Sequence, residues 1–193
     1  MKERSKMYSS RYVRNTRYQF DNTITEIVSM CCRGKSNIQK KALKKIILLA
    51  VEISAEGREG RKIGTMFIIG NEEAVLQSSR LLILDPLKGH LPEERNINNP
   101  NLHETIKELA QLDGAFIVSG NGIVISAGRY IYANNKDVII PCGLGSRHIA
   151  AASITKHTNA VAVVVSESSA VRILKKGRII SEIIPEIVFK KKG

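Results

Sequence analysis

The sequence predicts an α/β domain of α+β character: a mixed, mostly antiparallel central sheet flanked by helices on both faces. Three observations carry that expectation. Residues 160–165, Ala-Val-Ala-Val-Val-Val, form an apolar and mainly β-branched run closed by Ser166, the pattern of a strand buried on both sides. Two pairs of short apolar runs flank tight turns, Gly120-Asn121-Gly122 and Lys175-Lys176-Gly177, and read as hairpins. Ile38, Ala42, Ile46, Leu49 and Ile53 recur at three- and four-residue steps and so share one helix face. Hairpins set among helices favour a mixed sheet over a regular doubly wound one.

Taken in order, residues 1–35 are polar and basic, with Lys2, Arg4, Lys6, Arg11, Arg14 and Arg17 interleaved with Tyr8, Tyr12 and Tyr18. They read as a basic N-terminal helical arm, solvated or part of an oligomer interface, with a short helix through Ile24, Ile27 and Val28 that stops near Gly34. The folded domain is expected over 36–193. The helix of Ile38–Ile53 should run from Asn37 to Glu56, carry Lys40, Lys41, Lys44 and Lys45 on its solvated side, and end at Gly57. Ile63–Ile69 reads as a buried strand and Glu72–Ser79 as a short helix, followed by the apolar Leu81–Leu84. Residues 85–100 are rich in Pro, Gly, Asn and charge and read as loop, with His90 lacking an evident partner. Asn101, with Glu104 three residues on, is expected to cap a helix ending at Leu112, with His103 exposed on its first turn.

The first hairpin should pair Phe116–Ser119 with Ile123–Ser126, Gly128 breaking its second strand ahead of the patch Tyr130-Ile131-Tyr132. Asn134-Asn135 marks a turn, and Val138–Ile140 is a further strand candidate. A helix should start at Ser146 and run to about Thr158. After the strand at 160–165, Val171–Leu174 and Arg178–Ile183 make the last hairpin, and Pro185 starts a tail ending in Lys190-Lys191-Lys192.

Composition limits the class of partner. At 193 residues and 43% hydrophobic content the chain has enough material for one core and does not read as disordered. Thirty Lys and Arg against 18 Asp and Glu give a formal charge of +12, which suits a polyanionic partner such as a nucleotide, a nucleic acid or an anionic surface. Three cysteines, two of them adjacent, form neither a disulfide framework nor a zinc pattern, and no run is apolar enough to span a bilayer. A cytoplasmic protein without membrane contact is expected.

The chemistry concentrates in three places. Gly143-Leu144-Gly145-Ser146-Arg147-His148 leads into the helix formers Ala150-Ala151-Ala152. Unpaired N–H groups on the first helical turn, a hydroxyl and a guanidinium together read as an anion site for phosphate, or as an ordinary loop-to-helix entry with a surface arginine. Asp113 stands where a helix hands over to a strand, beside Gly114; it could accept a hydroxyl proton or hold a divalent metal, and it could equally be a turn residue. Ser166-Glu167 follows the β-branched strand, where ligand-handling groups often sit, though a plain turn has the same composition. His148 beside Arg147 could serve phosphate or metal, and a lone His on a first turn is more often structural.

Together, Asp113-Gly114-Ala115, then Gly145-Ser146-Arg147-His148 with Ala150-Ala151, then Ser166-Glu167, in this order and spacing, resemble the diadenylate cyclase (DAC) domain of the DisA N-terminal type. The strand Ile63-Gly64-Thr65-Met66-Phe67 with Gly70 and the hairpin into Ala127-Gly128 are similar too, so the resemblance covers roughly residues 36–184. It implies a metal-dependent condensation of two ATP into cyclic di-AMP and two pyrophosphates between two facing domains of a homo-oligomer. On that resemblance Asp113 would activate a ribose 3′-hydroxyl with Mg²⁺ or Mn²⁺, and Gly114 and Ala115 would lie against the nucleotide. Ile131 would pack on adenine. Gly145, Ser146 and Arg147 would bind phosphates with His148 close by, and Ser166 and Glu167 would line the phosphate and metal side, Asp113 and Glu167 being the metal ligands.

The sequence departs from that family's usual pattern at Ser146, where Thr is common, at Ile149, where a second Arg is common, and at Ser168, where a second acid is common. A stand-alone, archaeal-like form is expected, without the DNA-binding or membrane modules of some relatives. The alternatives are a module that binds ATP or a cyclic dinucleotide without turnover and, further behind, a basic nucleic-acid-binding protein.

Overall fold

Alternation of side chains along two adjacent strands determines how this molecule is layered. In β1 (Thr65–Ile69) Phe67 and Ile69 point to one face of the sheet and Met66 and Ile68 to the other, and all five residues of the strand are buried. The fifth strand of the sheet in chain order but its neighbour in space, Val161–Val165, does the same, with Val161, Val163 and Val165 on the first face and Ala162 and Val164 on the second. A sheet apolar on both faces must be covered on both faces. The computed structural model describes residues 17–34, 36–134, 138 and 140–185, and the basic segment 1–16 and the tail Lys190–Lys192 lie outside them.

The helices supply that cover. On the first face lie α1 (Arg17–Cys31), α2 (Lys40–Glu56) and α4 (Pro100–Leu109); on the second lie α3 (Glu72–Gln77) and α5 (Ser146–His157). The strands are β1, β2 (Ser79–Leu81), β3 (Ala115–Val118), β4 (Val124–Ile131), β5 (Val161–Val165), β6 (Val171–Lys175) and β7 (Arg178–Ile183). They form one seven-stranded sheet in the order β2-β4-β3-β1-β5-β6-β7. Only β1 and β3 run parallel; every other neighbouring pair is antiparallel. The mixed, mostly antiparallel sheet with helices on both faces is therefore the architecture observed.

Four local differences from the sequence reading have physical causes. The helix inside the basic N-terminal segment contributes Phe20, Ile24, Ile27, Val28 and Cys31 to the same core as α2, so no boundary near residue 35 separates it from the rest. The fourth helix starts at Pro100, not after it: Asn99 is the N-cap and its Oδ1 accepts from Asn101 N at 3.1 Å. Proline at the first helical position loses nothing, since its missing N–H would have had no partner there. Glu104 accordingly serves Lys107 rather than a capping box, and His103 is not merely exposed but donates from Nε2 to Ile97 O at 2.8 Å. Gly128 does not break β4; with φ +64 it lies inside the strand, where the β3–β4 register shifts, and the strand continues to Ile131. Val138 and Ile140 are not in a strand and pack, partly buried, against the α5 side of the core.

The long connection at 82–99 carries no helix or strand but is tied down at several points. Asp85 Oδ1 accepts from Ala127 N and Leu87 N, Arg95 donates to Val124 O and Ile125 O, and Leu87 and Ile97 are buried. Between α2 and α4, Lys107 lies within 3.5 Å of Glu52, 3.1 Å of Glu56 and 3.2 Å of Glu104. Burial works against its charge, but Glu56 and Glu104 outweigh it and the ammonium pKa is raised. Its side chain is 12% exposed, so it acts as a shielded counter-charge for three carboxylates. Lys107→Met should cost about 1–2 kcal/mol and roughly 3–6 °C in Tm at low salt. Because what remains is like-charge repulsion, the deficit should narrow in 0.5 M NaCl, which thermal unfolding at two salt concentrations checks.

Candidate active site

The parallel pairing of β1 with β3 and the antiparallel pairing of β1 with β5 bring three loops to one end of the sheet. Met66 lies opposite Ala115 and Thr65 opposite Val165. Gly64, just before β1, Asp113-Gly114, just before β3, and Ser166-Glu167, just after β5, therefore gather at the same edge. Helix α5 runs across the second face and starts above this edge, with Gly145 as its N-cap in extended conformation.

Arg147 joins the three loops. Its Nη2 is 3.2 Å from Asp113 Oδ1 and its Nη1 is 3.1 Å from Glu167 Oε1. One planar guanidinium thus holds two carboxylates that are 54 residues apart, being residues 113 and 167. The carboxylates remain accessible, Asp113 with 88% and Glu167 with 68% of its side chain exposed. Pairs this open contribute about 0–1 kcal/mol to folding. Stability is a poor reason for the arrangement; accessible charge poised for a ligand is a better one.

Beside Arg147 opens a cavity of about 660 Å³, within the size range of small-molecule sites. Asp113, Gly114, Ser146 and Arg147 form its polar wall, while Met66, Ala115, Ile131, Ile149 and Ala150 form the apolar one. Leu82 and Tyr130 stand at its partly exposed margin, with Arg80 stacked 5.1 Å from the centre of the Tyr130 ring. Of the residues singled out from sequence, six line the cavity: Asp113, Gly114, Ala115, Ile131, Ser146 and Arg147. Ile131 reaches it because β4 continues through Gly128. Ser146 is the first helical residue rather than the cap and leaves its hydroxyl exposed at the cavity.

The other four fall differently. Gly145 caps α5, its carbonyl accepting from His148 N at 3.0 Å. Glu167 reaches the site through Arg147. Ser166 uses its hydroxyl inside the turn, 2.9 Å from Ser168 Oγ, while Ser169 takes a left-handed φ of +60. His148 is 4% exposed and turned inward: Arg172 Nη1 donates to its Nε2 at 3.2 Å, and Arg172 Nη2 donates to Glu182 Oε1 at 2.5 Å. An imidazole that accepts from a guanidinium is neutral, and burial, then Arg172, then Arg147, push its pKa down to about 4. The place expected for His148 near phosphate is thus a buried support behind Arg147, not an exposed cation.

Two features were not legible. Arg129 lines the cavity, yet its donors go to Ser79 Oγ at 2.9 Å, Ser79 O at 3.2 Å and Leu76 O at 3.4 Å. It ties β4 to the end of α3, and partners some 50 residues away leave no local pattern. The other is the requirement for glycine at Gly114. It has φ +112, and a Cβ there would meet Arg129 N at 2.6 Å and Gly128 C at 2.7 Å. Its glycine is required by backbone on β4 that cannot move aside.

Asp113 and Glu167 also suit a divalent cation. Each is bound by Arg147 through one oxygen, and among the described residues no group of three or more His, Cys, Asp or Glu forms a metal cage.

The fold and this site define an α/β domain with a mixed sheet and a charged cavity at one end of it. The family described as DisA bacterial checkpoint controller nucleotide-binding (DAC) matches residues 52–179, and the chain belongs to it. A diadenylate cyclase of Methanocaldococcus jannaschii is 51% identical over 148 residues, covering 76% of this chain and 47% of that protein. A diadenylate cyclase of Haloferax volcanii is 39% identical over 155 residues, covering 79% and 56%. The chain thus spans about half the length of the curated relatives it matches. Among solved structures, DacA from Staphylococcus aureus superposes with TM-score 0.53 at 21% identity, covering 77% of this chain and 91% of the other. A hypothetical membrane spanning protein from Bacillus cereus gives 0.59 at 20%, covering 84% and 73%. These two show a shared fold. No helix among the described residues is long and apolar enough to cross a membrane.

Two outcomes check the supports. Gly114→Ala should cost about 2–4 kcal/mol, since strain and a backbone collision act together; denaturant unfolding reads it. The depressed His148 pKa means that the folded state binds fewer protons than the unfolded state between about 4 and 6.5. Its contribution is therefore present above pH 6.5 and lost as pH falls toward 4, by up to about 3 kcal/mol. In His148→Gln the slope of stability against pH in that window should be visibly shallower.

Proposed function

We propose that the chain is a diadenylate cyclase: it condenses two ATP into 3′,5′-cyclic di-AMP and two pyrophosphates at a site completed by a second, facing subunit. What supports this most directly is Arg147 joining Asp113 and Glu167 at the mouth of the cavity, beside the open N-terminus of α5. The relatives named diadenylate cyclase add to it.

The chemistry follows from the groups present. The apolar wall with Ile131 takes the adenine, and Ala115 and Gly114 lie along the sugar. The first N–H groups of α5, the Ser146 hydroxyl and the Arg147 guanidinium face the phosphates; unpaired helix N–H groups and a forked cation both favour an oxyanion. Asp113 accepts the proton of the 3′-hydroxyl. That oxygen attacks the α-phosphorus of the second nucleotide, a P–O bond forms, and the bond to pyrophosphate breaks in line with it. Repeated in the opposite sense, the step closes the ring. Asp113 and Glu167 would hold Mg²⁺ or Mn²⁺, which supplies positive charge for the phosphate oxygens and lowers the pKa of the attacking hydroxyl. Arg147 positions and neutralises; such chemistry needs alignment and charge more than covalent help.

The connectivity of the product favours a facing subunit. Both 3′-oxygens of cyclic di-AMP attack the other nucleotide, so two ATP must meet head to tail, and one cavity of this size holds one. The chain's positive charge favours the approach of two polyanionic substrates.

Purified protein given ATP and Mn²⁺ should form cyclic di-AMP and two equivalents of pyrophosphate, resolved by chromatography. Asp113→Asn should lower kcat by about 10²–10⁴-fold, the usual contribution of a positioned base, with ATP binding largely kept. Oligomeric protein that binds ATP and metal yet forms no cyclic dinucleotide would overturn the proposal.

A further inference from the structure

Gly64 lies between the two carboxylates in the sheet, one strand from each. It precedes β1, the central strand of the three that build the site, with the Asp113 loop on one side and the Glu167 loop on the other. Its φ does not call for glycine, since it lies outside the left-handed region. The space around it does. A Cβ on Gly64 would stand 2.6 Å from Arg147 Nη1, 3.1 Å from Arg147 Cζ and 3.0 Å from Glu167 Oε1. These atoms are the ends of the very side chains that meet at the site.

We propose that Gly64 is a positioning residue of the nucleotide site: its missing side chain is the slot in which the Arg147 guanidinium meets Glu167 while its other nitrogen reaches Asp113. The inference rests on the reading that these three groups handle ATP and its metal. It also makes a sharp division between stability and function. The colliding atoms are tips of flexible side chains, not backbone, so a methyl group can be accommodated by turning Arg147 and Glu167 aside. The fold loses little, and the cost falls on the arrangement of charges. Gly114 is the contrast within the same site: there an added Cβ meets immovable backbone and the fold bears the cost.

The test compares wild type, Gly64→Ala, Arg147→Lys and the double variant. Four quantities are read: Tm, ATP affinity by calorimetry, KM and kcat, and the side-chain Nε–H resonance of Arg147 in ¹⁵N spectra, assigned by its loss in Arg147→Lys. Gly64→Ala should leave Tm within about 2 °C, since only flexible tips must move. It should shift the Arg147 resonance and weaken ATP affinity and kcat/KM by about tenfold or more, as a displaced positioning group does. In the Arg147→Lys background, where Nη1 and Cζ are gone, Gly64→Ala should cost less than about twofold, because the coupling partner has been removed.

An unshifted Arg147 resonance, an unchanged ATP affinity in Gly64→Ala, an equal loss in both backgrounds, or unfolding of Gly64→Ala would each overturn the inference. If wild type binds no ATP, the functional reading fails on its own, and the Arg147 resonance still decides for or against the slot.

Discussion

One guanidinium links the charged groups at the cavity end of this molecule. Arg147 sits on the first turn of α5 and bonds Asp113 at the entry to β3 and Glu167 at the exit of β5. Because the pairs are exposed, they contribute little to folding, so the surrounding structure must place the three groups rather than be placed by them. That requirement explains much of what lies around them. The sheet supplies three strand ends at one edge, since β1 pairs parallel with β3 and antiparallel with β5. Glycines keep the centre and one flank of that edge free of side chains: Gly64 leaves space for the charges, and Gly114 lets the Asp113 loop lie against β4.

Helix α5 must hold Arg147 still without filling the site. Its small residues Ala151 and Ala152 are buried against the sheet, which brings the helix axis close. Its far end is fixed through Thr155, which accepts from Gly177 N at 3.2 Å in the last hairpin. Its near end is fixed through His148, buried on Arg172, which in turn bonds Glu182. Adjacent residues thus divide the work: Arg147 faces the cavity, and His148 faces the core. A neutral histidine is well suited to that place, because a charged one would confront two guanidinium groups. The last hairpin, remote from the cavity in sequence, is a support for it in space.

The departures from the family pattern are accommodated without disturbing this core of the site. Ser146 keeps a hydroxyl at the cavity, and Ile149 makes its wall more apolar. Ser168 bonds Ser166 and so closes the turn on itself. Two guanidinium groups bring positive charge to the wall: Arg147, set between Asp113 and Glu167, and Arg129, whose hydrogen bonds go to the neutral Ser79, Ser126 and Leu76.

Local sequence determined the elements. The period of α2, the β-branched run of β5 and the glycine turns of both hairpins are each properties of a few adjacent residues, and they appear where their patterns lie. Asp113, Ser146, Arg147 and Glu167 are each ambiguous alone and become legible as a set through their order and spacing. What depended on distant partners was not legible. The continuation of β4 through Gly128 depends on pairing with β2 and β3. The inward turn of His148 depends on Arg172, and the capture of Arg129 depends on Ser79. The role of Gly64 depends on side chains that arrive from two other parts of the chain. Sequence alone determined which groups could do chemistry, because residue type and spacing are local. Only the tertiary structure decided which of them face one another, because that follows from strand order and register.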